Sequence, residues 1–161
     1  MNLFDPGFWE TASYVVTVIG LPVAIGIFIA DQRKERRNEE EESWQRLSDA
    51  YNDFLQVVID HPDLKLRTGR GNASLTPEQE ERMMVIFTML VGLFERAYLV
   101  AWEPDMDAEQ ARRWNSWEDW MREWCRRRDF SSRLPELLRG EDPDFAAYIR
   151  GIADEEREAA A

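Results

Sequence analysis

The chain has 161 residues, 44% hydrophobic and 32% charged, enough for one domain plus an attachment and too few for two ordinary domains. Its formal net charge of −12 repels phosphate backbones and excludes general nucleic-acid binding. Cys125 is the only cysteine, which excludes an intrachain disulfide and a Cys-based zinc site.

Residues 1–11 form a short N-terminal lead, expected to be extracytoplasmic. Asp5 followed by Pro6 reads as an N-cap with Pro in the first helical position. The 19 residues from Ala12 to Ala30 then carry no charge. As a helix they cover about 28 Å, close to the hydrocarbon thickness of a bilayer. Phe8, Trp9 and Tyr14 sit at the front end, where interfacial aromatics belong. A cleaved export signal fits less well, since residues 1–9 hold no Lys or Arg. The basic cluster Arg33, Lys34, Arg36 and Arg37 follows at once. Positive charge stays on the cytoplasmic side, so the expected topology is single-pass with the N-terminus out. The same cluster suits contact with anionic lipid at the membrane surface. Ser13, Thr17, Gly20 and Ala24 share one helical face, and Gly26 and Ala30 form another small pair. Such faces let spans associate in lipid.

Residues 31–43 form a charged stalk without an apolar side chain. Asn38, followed by Glu39, Glu40 and Glu41, has the pattern of a fresh helix start. The sequence leaves open whether the first helix breaks there or runs through.

A helical domain is expected over 44–152. Trp44, Leu47, Tyr51, Phe54 and Val58 keep a 3-4-3-4 spacing, the face of a bundle helix or of a short coiled coil. Pro62, Gly69 and Gly71 end it. Asp60, His61 and Asp63 read as a solvated helix end rather than metal ligands, because no second histidine exists. Thr76, Pro77 and Gln79 open the next helix with a capping box. That helix, to Trp102, is apolar almost all round and reads as the centre of a bundle, with Glu95 and Arg96 on a polar edge near Thr88 and Gly92. Only 12 uncharged residues, Met83 to Phe94, precede that pair, too few for a second span.

Asp107 and Gln110 open a third helix containing four Trp. Trp114, Trp117, Met121 and Trp124 share a stripe with Trp120 beside it, expected to pack on Phe87, Leu90, Phe94 and Tyr98. Trp117, Trp120, Arg126, Arg127 and Arg128 are the candidate partner contacts, since Trp and Arg dominate interface energetics. A short helix near Leu134 to Arg139 follows, and then a last one capped by Asp142 and Pro143. Residues 153–161 are expected to fray.

There is no phosphate-binding glycine loop, nucleophile elbow or kinase motif set, and one His cannot build a di-iron bundle site. No catalytic residue, metal or cofactor is therefore expected. The segments "HPDL", "WEDWMREW" and "DPDFAAYI", in this order of parts, resemble a loose group of small uncharacterised bacterial single-pass membrane proteins. The resemblance implies an inner-membrane location and carries no activity. The expectation is an all-α, single-pass membrane protein with a bundle of three to four cytoplasmic helices. Its expected role is non-enzymatic interaction or regulation with a protein partner. The alternative is a self-assembling membrane effector or small pore of the stress or phage-defence type.

Overall fold

A computed structural model describes residues 6–68 and 74–160, leaving aside the side chains of residues 6–21 and of Glu40. All regular structure among these residues is helical. Six helices, α1 (Pro6–Asp60), α2 (Pro77–Ala101), α3 (Ala108–Cys125), α4 (Arg128–Ser131), α5 (Leu134–Leu137) and α6 (Pro143–Ala159), are joined by turns and a 3₁₀ turn at Pro62–Leu64. The chain divides into two compact units, residues 1–43 and 44–161.

The first unit is the N-terminal part of α1, which includes Pro22 and continues past Asn38 without interruption. Asn38 is therefore a helix-interior residue, and its cap-like sequence does not start a new helix. Val23, Ile25, Ile27, Phe28 and Ile29 are exposed along it. Arg33, Lys34, Arg36 and Arg37 are exposed too. Ala24, Gly26 and Ala30 lie open, whereas the side chains of Ser13, Thr17 and Gly20 fall outside the described residues. So do the other side chains of the apolar run as far as Leu21.

The second unit packs the end of α1, α2, α3 and α6 around one core. Leu47, Tyr51, Phe54 and Val58 enter it from α1 at the expected spacing. The Thr76–Gln79 box opens α2 with both reciprocal hydrogen bonds, and Asp107 with Gln110 opens α3 in the same way. At α6 the Asp142 carboxylate accepts from the Asp144 and Phe145 N–H groups. These caps satisfy amides that a helix start leaves without internal partners.

The Trp stripe is core. Trp117 meets Phe94 edge-on at 6.5 Å, Trp124 meets Phe87 at 6.2 Å and Trp114 meets Tyr98 at 6.1 Å. Two elements differ from the sequence expectation. Leu64 and Leu66, in what reads as a plain connection, are buried in the same core. The C-terminal residues do not fray at 153: α6 continues to Ala159, Ala153 is buried, and Glu156 pairs with Arg122 and Arg126.

Candidate functional site

The local sequence of α2 places apolar residues on every side, yet the bundle covers one side only. Phe87, Leu90, Phe94, Ala97 and Tyr98 face inward and are buried. Val85, Met89, Gly92, Arg96 and Leu99 follow one another at 4-3-4-3 spacing on the opposite side. There Val85 is 56%, Met89 48%, Leu99 60% and Val100 54% exposed. Among the described residues, α2 is the one helix long and apolar enough to cross a membrane, and half of its most apolar stretch is buried in the bundle. A helix apolar all round is normally covered all round. Here about half of the apolar stretch lies uncovered by the second unit.

That side borders a groove of about 760 Å³ between α1 and α2. Ala50, Phe54 and Val57 form the α1 wall, and Met89, Gly92, Leu93, Leu99 and Val100 the α2 wall. Three charged residues line it, Asp53, Glu95 and Arg96. A methyl group added at Gly92 would meet nothing within 4 Å, so the middle of the groove is open space. Glu95 is tied down: its carboxylate accepts from the Asp142 N–H at 2.5 Å, joining α2 to the start of α6. Burial, then a hydrogen bond and repulsion from Glu95, push the Glu141 carboxyl above its ordinary value.

The candidate contacts of the third helix separate into two groups. Trp117 and Arg127 are buried and cannot meet a partner from this surface. Tyr51 covers one face of Trp120, with the rings stacked at 4.0 Å. Arg127 reaches back across the domain. Its Nη1 donates to the carbonyls of Lys65, Leu66 and Thr68 at 2.8–3.0 Å. Its Nε and Nη2 form a fork on Asp129. The guanidinium thus holds the turn after α1, where Lys65 takes a left-handed φ of 49°, and it does not present a phosphate site. Arg126 is exposed but engaged by Glu156 at 2.7 Å, and Arg128 is exposed.

A polar seam closes the opposite side, between α3 and α6. Trp114 Nε1 donates to the Tyr148 hydroxyl at 3.0 Å, and that hydroxyl donates to Glu118 at 2.7 Å. Arg122 binds Glu118, Glu155 and Glu156. Burial pushes Glu118 upward, but the hydrogen bonds from Tyr148 and Arg122 outweigh it and hold the carboxyl below its ordinary value. Burial and the Glu118 carboxylate raise the Tyr148 hydroxyl. Cys125 is buried beside this seam, and burial pushes its thiol up to about 12, which keeps it protonated and a poor nucleophile. Among the described residues no cluster of His, Cys, Asp and Glu is placed to hold a metal ion.

No family model matches the chain, and no curated protein or solved structure does either. Of the surfaces described, the α1–α2 groove combines apolar walls with a few charges at its edge. The sequence reading placed the contact on α3, where helical spacing points to Trp. The 4-3-4-3 run through Val85, Met89, Gly92, Arg96 and Leu99 was the signal for α2, hidden because the inner face carries an equally apolar pattern.

Proposed function

We propose that the chain is a membrane-anchored, non-enzymatic interaction protein, which presents a cytoplasmic helical domain to a protein partner. The observation that carries this reading is the uncovered apolar side of α2 beside the α1–α2 groove. Exposed apolar surface of this kind costs solubility unless something covers it. The anchor is the uncharged run Ala12–Ala30, and the orientation follows from the basic cluster Arg33–Arg37. Site-specific photocrosslinking in cells tests the reading. A crosslinker replacing Met89 is expected to capture one protein in the membrane fraction, and the same group at exposed Asp119 is expected to capture none. Lipid adducts alone, or identical products from both positions, would remove the basis for it.

The alternative, a self-assembling effector or small pore, draws on the small-residue face Ser13, Thr17, Gly20 and Ala24 and on the separate pair Gly26 and Ala30. Light scattering on the solubilised chain decides it: a defined oligomer that Gly26→Leu disperses supports assembly through the span, and a monomer removes it.

A further inference from the structure

The groove does more than expose apolar atoms, because past Arg46 its α1 rim is a row of acids. Asp49, Asp53 and Asp60 fall within a narrow arc of the helix and are all exposed. Asp53 itself lines the groove, and Glu95 adds a fourth carboxylate from α2. The charge of the region from Asp31 onward points the same way, with 20 basic and 30 acidic residues. We infer that the groove receives a cationic amphipathic helix of another protein, an inference that rests on the docking reading above.

The rim decides between the possible covers. An anionic lipid surface would set phosphates against Asp49, Asp53 and Asp60. A second copy brings its own acid row: parallel packing of α2 on α2 sets Arg96 against Arg96, and two-fold antiparallel packing about Gly92 places the Asp49, Asp53 and Asp60 rows of both copies on the same side. A helix with apolar side chains at i, i+3, i+4 and i+7 fills the strip between Met89 and Val100, with the open space at Gly92 taking its closest approach. Lys or Arg along its α1-facing edge meets the acid row, and a small or acidic residue is required opposite Arg96. Such a partner gains apolar burial in the groove and long-range attraction on approach.

The test uses the full-length chain in zwitterionic nanodiscs. The probe is a labelled Leu/Lys amphipathic peptide of about 20 residues, long enough to hold a helix when docked. Its scrambled twin and a Leu/Glu twin are the comparisons. The Leu/Lys peptide is expected to bind one-to-one, at least about ten-fold tighter than either twin. M89E/L99E is expected to weaken it about ten-fold or more, and D53K/D60K to weaken it comparably and erase the preference over the Leu/Glu peptide. Both pairs change exposed side chains, so unaltered circular dichroism separates lost binding from lost fold. Equal affinity for all three peptides, or no effect of either variant pair, overturns the inference. Cosedimentation of the nanodisc-held chain with phosphatidylserine vesicles, abolished by M89E/L99E, assigns the groove to lipid and overturns it. A dimer of the chain that M89E/L99E dissolves assigns the groove to a second copy; that outcome also overturns the cationic helix. In each case the Met89 crosslink in cells still decides independently whether a protein partner docks there at all.

Discussion

The inner and outer faces of α2 are made of similar residues and have opposite fates. Phe87, Leu90, Phe94 and Ala97 are wholly buried by helices that the same chain supplies. Val85, Met89, Leu99 and Val100 remain about half exposed. Composition sets how much a face gains from being covered, at roughly 25 cal/mol per Å². It does not set whether the cover belongs to the same molecule. The outer face is apolar surface that the fold does not use, which is why it carries the functional reading.

Substitutions on the two faces should separate them sharply. Trp117→Ala, opposite the inner face, removes a ring that touches Trp44, Tyr51 and Phe94. It is expected to cost about 3–5 kcal/mol in a denaturant titration. Met89→Ser with Leu99→Ser, on the outer face, is expected to move the same midpoint by less than about 0.5 kcal/mol per site. Comparable losses would mean that the outer face is covered by this chain in solution, and the comparison would collapse.

Arg127→Met asks whether the turn after α1 depends on a buried cation. The substitution leaves Asp129 and the Leu66 and Thr68 carbonyls without the Arg127 donor, while the Lys65 carbonyl keeps the Thr68 N–H and hydroxyl, and is expected to cost about 3 kcal/mol. Trypsin cleavage after Arg67 should accelerate with it. An unchanged cleavage rate would show that the Leu64 and Leu66 plug holds this turn alone.

The smallest expected effect is electrostatic. The Glu141 carboxyl sits above its ordinary value because burial and Glu95 oppose its charge. A raised folded-state value means that the native state holds the proton more tightly. Its stabilising contribution is then full at acid pH and is lost as pH rises through the folded-state value. Glu141→Gln should therefore be a few tenths of a kcal/mol more stable than the parent at pH 7. The advantage should vanish on acidification below the ordinary carboxylate range. Glu118 and Glu156 run the other way. Burial raises Glu118, but the Tyr148 and Arg122 hydrogen bonds prevail; hydrogen bonding from Arg126 leads at Glu156. Both end below their ordinary values, so the α3–α6 seam weakens as pH falls through those lowered values. A melting series from pH 7 down to about 3 on parent and variant checks both signs.

The helix starts were legible in the sequence because capping is local. Thr76 with Gln79, Asp107 with Gln110, and Asp142 with Pro143 each settle their geometry within four residues. The core role of the Trp stripe was legible for the same reason, since 3.6-residue periodicity places Trp114, Trp117 and Trp124 on one side. Arg127 was not legible. Three arginines after a helix suit its negative end, and the carbonyls that turn the middle one inward lie 59–62 positions away. The sequence left open whether the helix breaks at Asn38; it runs through, because a good local start is a weak signal inside a helix that need not stop. The uncovered side of α2 was the hardest to read, because burial of one face and exposure of the other leave the same apolar letters in the sequence.

The distance between Val58 and its core partners also sets an order of events at the ribosome. The apolar stripe from Trp44 to Val58 packs on α2 and on α3 rings as far along as Trp124. At about 5–20 residues per second, several seconds pass between the synthesis of the stripe and that of its cover. Throughout that interval Trp44, Leu47, Tyr51 and Phe54 lack their later core partners. Folding of this stripe into the core therefore waits until α3 has emerged.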